Sequence, residues 1–183
     1  MIVDRVTRYR PANVGCPTQG TKLALKTLGQ RWRYLTDEIA TIDTQLDPLV
    51  KVVAPPELLA MTGVGTQVAA QLLITAGSNP ARLATEQSFA ALCGVSPVDA
   101  SSGQQLRHRL NRGGDRQANS ALYRIVIVRL RYHQPTRDYM TRRTREGLTK
   151  REIIRCLKRY LAKETWHHLT NHHTQQQTLK QAA

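Results

Sequence analysis

A heptad stripe of apolar residues is the feature that most constrains the fold of this chain. Across residues 21–50 the apolar side chains recur at alternating spacings of three and four, which places them on one narrow helical face. We predict a coiled-coil dimerisation helix over residues 21–54, interrupted or ended by Pro48. The alternative is a long helix packed on its own domain. The stripe comprises Leu25, Leu28, Trp32, Leu35, Ile39, Ile42, Leu46 and Leu49.

The rest of the chain divides by composition into three parts. Residues 1–20 carry scattered proline and glycine without a clear period, which predicts a linker or disordered tail. Residues 55–165 alternate helical apolar periods with Gly and Pro breaks, which indicates a compact helical domain. Residues 166–183 are glutamine-rich from Asn171 onward and predict a frayed tail. The predicted fold class is therefore mainly α.

Residues 57–77 have the pattern of a helix-hairpin-helix. Glycines permit a tight turn, and backbone amides at the N-terminus of the next helix can hold a DNA phosphate. We predict that the turn contacts the DNA backbone, with an ordinary helical hairpin as the alternative. The turn residues are Thr62, Gly63, Val64, Gly65 and Thr66.

Further elements follow in a very basic part of the chain. Residues 86–93 predict a short helix, and residues 117–132 predict a strongly apolar one. Between them, residues 106–110 alternate apolar or histidine residues with arginine, as one strand of a small β-ribbon would. Thr149 and Glu152 have the spacing of a capping box that begins a last helix.

The net charge of +14 is concentrated in one segment. Lys and Arg total 27 and Asp and Glu total 13. Residues 101–163 carry 17 basic and 4 acidic residues, a net +13, whereas residues 1–100 carry 9 and 8. Such a block is typical of a nucleic-acid interface, with an anionic membrane or an acidic protein as the alternatives. It contains no Trp or Phe, which argues against a single-strand stacking platform and favours double-stranded DNA.

A serine-glycine loop stands at the start of this basic block. Ser101 and Ser102 precede Gly103, and arginines follow within ten residues. A serine hydroxyl can attack a phosphodiester, and arginines can neutralise the phosphate and its transition state. A polar turn beside a phosphate-binding stretch is the alternative. The arginines that we expect to bind nucleic acid are Arg107, Arg109, Arg112 and Arg116.

Other chemistries find weaker support in the sequence. A basic triplet at residues 107–109 with Tyr123 or Tyr139 would suit a tyrosine recombinase, but such triplets are common in basic segments. The carboxylates of the basic block are scattered, so no two-metal nuclease site is expected. Four C-terminal histidines lack acidic or cysteine companions, and we expect no metal there. They are His167, His168, His172 and His173.

Several motifs in order resemble one family of bacterial transposases. These are Leu-Leu-Ala-Met-Thr-Gly-Val-Gly, Ala-Gly-Ser-Asn-Pro-Ala-Arg-Leu, Phe-Ala-Ala-Leu-Cys-Gly-Val-Ser-Pro, Ser-Ser-Gly and Arg-Leu-Asn-Arg-Gly-Gly-Asp-Arg-Gln-Ala-Asn. Over about residues 20–165, the chain resembles the C-terminal part of the insertion-sequence transposases of the IS110, IS116 and IS902 group, which are RNA-bridged recombinases.

The resemblance implies a mechanism and partners. Ser102, directly before Gly103, matches the nucleophilic serine of the family, and Ser101 is its competitor. The implied partners are double-stranded DNA, a structured guide RNA and a second copy bound through the coiled coil. In the family, an N-terminal RuvC-like domain holds Mg²⁺ with acidic residues. Only about twenty residues precede the coiled coil here, so we expect this chain to lack that domain and to be inactive alone.

Three hypotheses for function remain open at this stage. The first is the DNA-binding C-terminal part of a transposase with a serine nucleophile. The second is a non-catalytic nucleic-acid-binding remnant of such a transposase, and the third is a DNA-repair module that uses its hairpin. The three widely spaced cysteines fit neither a disulfide framework nor a zinc site. We expect a cytoplasmic, nucleoid-associated protein without a membrane span or signal peptide.

Overall fold

The computed structural model describes residues 2–13, 15–79, 83–99, 108–109 and 111–182, with only the backbone described for His108 and residues 172–182. The described chain is mainly α, as predicted, and divides into two units, Met1–Pro48 and Leu49–Ala183. Its elements are α1 (Ile2–Thr7), α2 (Pro17–Val53), α3 (Pro56–Ala60), α4 (Thr66–Ala76), α5 (Glu86–Leu92), β1 (Val98–Asp99), β2 (His108–Arg109), α6 (Arg116–Tyr132), α7 (Gln134–Arg145) and α8 (Lys150–Ala182).

The first unit holds a short helix against a long one. A Cβ added at Gly29 of α2 would lie 2.8 Å from Val6 Cγ2 of α1, so only glycine allows this close approach. Arg33 of α2 donates to Asp4 of α1 at 2.6 Å. The expectation of an irregular segment over residues 1–20 therefore differs from the structure, because packing on α2 supports a helix too short to show a period.

The apolar stripe of α2 lies on a helix and is largely exposed within the chain. Leu28 is 66% exposed and Ile39 is 54% exposed. Pro48 lies inside the helix and does not end it. The helix continues to Val53 because its last turn belongs to the second unit, where Val50 and Ala54 beyond it are buried.

The core of the second unit forms around α6. This helix packs on α4, α7 and α8, while α8 also packs on α3 and α5. Apolar periodicity explains the arrangement, since α6 buries the residues at its three- and four-residue spacings. The largest fully buried side chains of the core include Phe89, Leu58, Leu72, Leu122, Ile125, Ile153 and Leu169.

Helix α8 begins as its sequence predicts but extends further than its sequence predicts. At its start the predicted capping box is present: the Thr149 amide donates to Glu152 Oε2 at 2.9 Å. At its other end the helical backbone runs through Ala182, where a tail over residues 166–183 is the sequence prediction. Leu169 is buried, and Trp166 donates its indole N–H to the carbonyl of Leu83 at 2.7 Å, so this part of α8 belongs to the core.

Charged contacts fix α5 against α8. Glu86, in the first turn of α5, pairs with Arg159 at 2.8 Å and Lys163 at 3.2 Å. Burial acts to raise the pKa of Glu86, but the Lys163 hydrogen bond and the nearby Arg159 charge outweigh it, so the pKa is lowered. Among the helices of the described residues, none is long and apolar enough to cross a membrane.

Candidate nucleic-acid interface

A glycine interlock positions the basic stretch. Gly94 has φ +63°, and a Cβ there would lie 2.7 Å from the carbonyl oxygen of Gly113. Gly114 has φ +91°, and a Cβ there would lie 2.6 Å from the carbonyl oxygen of Ala91. Both positions need glycine for conformation and for space. The Gly-Gly turn is thereby fixed on the C-terminal end of α5.

Asp115 links this turn to three helices. Its backbone amide donates to the carbonyl of Leu92 at 2.7 Å, and its side chain caps α6 by accepting from the Gln117 amide at 2.7 Å. The other carboxylate oxygen accepts from the buried Thr75 hydroxyl of α4 at 2.5 Å. The Thr75 hydrogen bond leads in lowering the pKa of Asp115; burial opposes it, and the Gln117 and Ala118 amides reinforce it. Asp115 is a structural carboxylate.

The β-ribbon predicted from alternation is present as two short antiparallel strands. Val98 pairs with Arg109, and Asp99 pairs with His108. Asp99 and His108 are the pair nearest to the segment that joins the strands. The residues that flank this segment on either side are therefore paired with each other. That segment contains three of the predicted site residues, Ser102, Gly103 and Arg107, which lie outside the described residues, as does Ser101.

The three described arginines of the prediction lie together. Arg109 and Arg112 line a cavity of about 590 Å³ with Val98 and Asn111. Arg112 and Arg116 line a second cavity of about 510 Å³. All three side chains are exposed. The ribbon and the Gly-Gly turn therefore place these arginines close together in space. Sequence spacing alone shows only that they are close along the chain.

Lys158 of α8 lies between the cavities and is a residue that sequence reasoning missed. Its side chain lines the second cavity and a third of about 500 Å³. It is only 7% exposed, and its ammonium donates to Asn119 Oδ1 at 2.8 Å. The Asn119 amide donates in turn to the carbonyls of Cys93 and Gly94. Burial, followed by the charge of Arg155, lowers the pKa of Lys158.

No simple sequence signal identifies Lys158. It follows Leu157 in a helix of mixed apolar and basic residues, and its burial depends on α6, which is distant in sequence. A buried lysine held by an amide instead of a carboxylate keeps its charge unneutralised, which is unusual in a protein core. This makes Lys158 a candidate binding residue.

The predicted hairpin turn forms a separate group of site residues. Gly63 has φ +91°, and a Cβ there would lie 3.2 Å from the carbonyl oxygen of Ile125 in α6. The carbonyl of Thr62 accepts from Arg129 Nε at 2.9 Å. Val64 donates its amide to Met61, Gly65 is the N-cap of α4, and Thr66 is the first residue of that helix.

Arg129 fixes this turn to the core. It is 9% exposed, and its guanidinium donates to both oxygens of Glu164 in α8 at 2.9 and 3.0 Å. Such a two-pronged pair is geometrically specific. Thr62 and Gly65 nevertheless stay exposed, so the turn presents its backbone at the surface.

Tyr139 and Cys93 have surroundings that disfavour reaction as nucleophiles. Burial, followed by a hydrogen bond with Tyr160, raises the pKa of Tyr139 to about 12. Burial, followed by the charge of Asp115, also raises the pKa of Cys93 to about 12. Tyr123 is 46% exposed and lines the second cavity. These observations give no support to a tyrosine nucleophile at Tyr139.

Metal-ligating side chains are dispersed in the part of the chain that the structure describes. No group of three or more His, Cys, Asp or Glu residues there could hold a metal ion. His167 is exposed and His168 is partly exposed. The side chains of His172 and His173 lie outside the described residues.

The helical domain that carries this basic face is similar to proteins of insertion elements. Residues 56–141, which include the hairpin turn, the ribbon and most of α6 and α7, match the family model described as Transposase IS116/IS110/IS902 family. The resemblance to this transposase family that the ordered motifs predict is thereby confirmed.

Two curated relatives agree with the family match. The insertion element IS110 uncharacterized 43.6 kDa protein of Streptomyces coelicolor is 26% identical over 146 residues, which cover 78% of this chain and 36% of the relative. The insertion element IS900 uncharacterized 42 kDa protein of Mycobacterium paratuberculosis is 28% identical over 116 residues, which cover 63% and 29%. The chain thus matches about a third of the length of these relatives.

Proposed function

We propose that residues 49–183 form a nucleic-acid-binding domain of an insertion-element transposase and act on DNA. The observation that carries this proposal is the cluster of Arg109, Arg112 and Arg116 on adjoining cavities, beside the buried Lys158. Phosphates supply the charge that such a cluster lacks, and contacts of this kind position a duplex without reading its sequence. The net charge of +13 over residues 101–163 supports the same partner.

The hairpin turn is the second proposed DNA contact. The N-terminal end of α4 begins at Thr66, directly after the exposed Gly65, and a helix N-terminus favours phosphate through its dipole and amides. The bond from Arg129 to the Thr62 carbonyl holds the turn in place before DNA arrives. We propose backbone contact at Thr62, Gly63, Val64, Gly65 and Thr66.

Ser102 is the proposed nucleophile, as the family resemblance implies. Covalent geometry keeps its Cα within about 11 Å of the Asp99 Cα, since Ser102 is three positions further along the chain. The ribbon that holds Asp99 is adjacent to the arginine cluster. In the proposed step, the serine oxygen attacks a DNA phosphorus and forms a phosphoserine bond. The bond from phosphorus to the leaving sugar oxygen breaks, and the serine proton ends on that oxygen.

No metal is assigned to the described residues of this chain in the proposed step. Mg²⁺ belongs, on the same resemblance, to an acidic RuvC-like domain that these residues do not supply, since the described carboxylates form no cluster. A structured guide RNA and a second copy joined through α2 are the further partners that we propose. The exposed stripe of α2 supports the second copy, because burying it requires an apolar partner.

A covalent trapping assay tests the catalytic part of the proposal. The chain is incubated with nicked suicide DNA, with and without a RuvC-like domain fragment of a relative in trans. We expect a covalent adduct with the fragment present, lost in Ser102→Ala and retained in Ser101→Ala. An adduct that persists in Ser102→Ala would refute the nucleophile.

Absence of any adduct under all conditions, together with normal DNA binding, would favour a second function. The chain would then be a nucleic-acid-binding relative of the transposases that lacks the reaction. The arginine cluster supports binding in either case, so binding and reaction are separable by this assay.

A further inference from the structure

The cavity between the β-ribbon and α8 has more cationic groups than its neighbours neutralise. Five cations line it: Arg109, Arg143, Arg155, Lys158 and Arg159. Three carboxylates pair with the arginines: Glu86 of α5 with Arg159, Glu146 directly after α7 with Arg143, and Glu152 of α8 with Arg155. Even if each neutralised its arginine, Arg109 and Lys158 would keep their charges within the described part of the chain.

Two of the arginines that line this cavity also have a buried donor without an acceptor. The Nε of Arg143 and the Nη1 of Arg159 are buried without a hydrogen-bond partner among the described residues. A buried donor left without an acceptor is destabilising. These two atoms are enclosed by protein, so it is the ammonium of Lys158, which among the described residues donates to an amide oxygen, that indicates an anion as the missing partner.

Apolar side chains also line the cavity. Val95, Pro97 and Leu148 line it together with the Cys156 side chain. A free phosphate would make no favourable contact with these apolar side chains. A nucleotide can place its base against them and its phosphate on the cations. The volume of about 500 Å³ falls within the range of small-ligand sites, about 300–1,000 Å³, and does not admit a duplex.

We infer that this cavity binds one unpaired nucleotide, with its phosphate on Lys158, Arg155 and Arg109 and its base on Val95, Pro97 and Leu148. The inference rests on the proposed binding of nucleic acid and specifies the state of the strand. A base inside a duplex is stacked and paired, so the nucleotide that enters must be extruded or unpaired. The cavity therefore selects DNA or RNA that is locally opened.

The first test compares two DNA probes on the complete chain. One is a short duplex, and the other is the same duplex with a single bulged 2-aminopurine. We expect the bulged probe to bind about tenfold more tightly, with a change in 2-aminopurine fluorescence on binding. Equal affinity for both probes, with unchanged fluorescence, would overturn the inference. Inorganic phosphate as competitor distinguishes the sources: if low concentrations abolish the bulge preference, the cavity is a free-phosphate site and the inference fails.

Matched variants locate the effect in the cavity. Arg155 and Arg151 both lie in the first turns of α8, but Arg155 lines the cavity and Arg151 is exposed elsewhere. Arg155→Gln should weaken the bulged probe about tenfold and reduce the preference over the duplex, whereas Arg151→Gln should weaken both probes slightly and equally. Equal effects of the two substitutions would contradict the cavity.

Two further variants separate the phosphate side from the base side. Lys158→Met keeps the hydrocarbon chain and removes the ammonium, and we expect it to remove most of the bulge preference. Leu148→Ala should reduce the fluorescence change while duplex affinity stays within about twofold. Thermal unfolding checks that both remain folded, and Arg155→Gln carries the test if Lys158→Met does not fold.

The outcomes separate this inference from the proposed function. A chain that binds neither probe would refute nucleic-acid binding itself. A chain that binds both probes equally, with a normal salt response and with no effect of Lys158→Met or Leu148→Ala, would refute the nucleotide cavity alone.

Discussion

At the scale of single residues, Asp115 is the side chain on which the arginine cluster depends. It caps α6 and accepts from Thr75, so it connects the Gly-Gly turn to α4 and α6. Asp115→Ala should lower the free energy of unfolding by about 1–3 kcal/mol, because it removes a cap and leaves the buried Thr75 hydroxyl with a weaker partner. Urea unfolding measures this. Asp115→Asn, which can still cap, should lose less; an equal loss would contradict the capping role.

Asp115 also makes stability depend on pH in a defined direction. Its pKa is lowered in the folded chain, so its contribution is complete above the unfolded pKa of about 3.9 and is lost as pH falls through the lower, folded value. Between pH 7 and pH 4, Asp115 should therefore contribute steadily. Below pH 4 the stability difference between the wild type and Asp115→Asn should shrink. A difference that shrinks already between pH 7 and pH 5 would contradict this assignment.

Two cysteines should differ sharply in reactivity. Cys93 is buried with a pKa raised to about 12, whereas Cys16 is exposed. Since the thiolate is the nucleophile, iodoacetamide at pH 8 should modify Cys16 and leave Cys93 unmodified in the folded chain. Mass spectrometry of the peptides measures both. Urea provides the control, because unfolding should make Cys93 react; rapid native labelling of Cys93 would refute its burial.

Sequence reasoning at this scale succeeds where a residue acts through its neighbours in the chain. Arg112 and Arg116 flank the Gly-Gly turn and do line one cavity. The same reasoning misses Lys158 and Asn119, which are separated by 39 positions and meet only when α6 packs on α8. Sequence reasoning also fails to predict the structural role of Asp115, because its partner Thr75 lies on another helix.

At the scale of elements, the exposed stripe of α2 makes the clearest prediction. If the stripe pairs with a second copy, Ile39→Asp should place a charge in the seam and abolish the dimer. Sedimentation equilibrium at micromolar concentration measures the change. Asp37→Lys is the matched control, because Asp37 lies on the exposed face of α2 away from the stripe, and its substitution should leave the dimer intact. A monomeric wild-type chain would contradict the pairing.

Most helices follow from local signals, and the exceptions have tertiary causes. The capping box at Thr149 and Glu152 forms as the sequence predicts, because all its atoms lie within one turn. The helix through Pro48 and the continuation of α8 past Trp166 depend on burial against other elements. Pro48 predicts an end or interruption of α2, and the glutamine-rich sequence after Trp166 predicts a tail. Both predictions differ from the structure, because neither local signal contains information on distant partners.

At the scale of the whole molecule, the asymmetric charge predicts a salt-dependent affinity for DNA. Each phosphate contact that the protein makes releases counterions and steepens the fall of log affinity against log salt by about 0.9. Arg112→Gln with Arg116→Gln should therefore reduce the slope by about two. Arg10→Gln with Arg31→Gln removes the same charge from exposed positions of the first unit and should change the slope little. Equal changes, or a flat response of the wild type, would contradict a localised interface. Fluorescence anisotropy across a salt series measures all three chains.

The β-ribbon has a consequence for how the chain tolerates change. Because Asp99 and His108 are paired, the two residues that flank the segment 100–107 are already held next to each other. The entropic cost of joining two fixed ends grows slowly with the length of the segment between them, so doubling that length costs only about 0.6 kcal/mol. This cost corresponds to less than about a threefold fall in the local concentration of one end at the other. A peptide tag or spectroscopic label inserted there should therefore be accepted with a small penalty. A substitution that separates the two strands would instead release the two ends of this segment from each other. The segment between these short strands is therefore the place where an insertion should be tolerated.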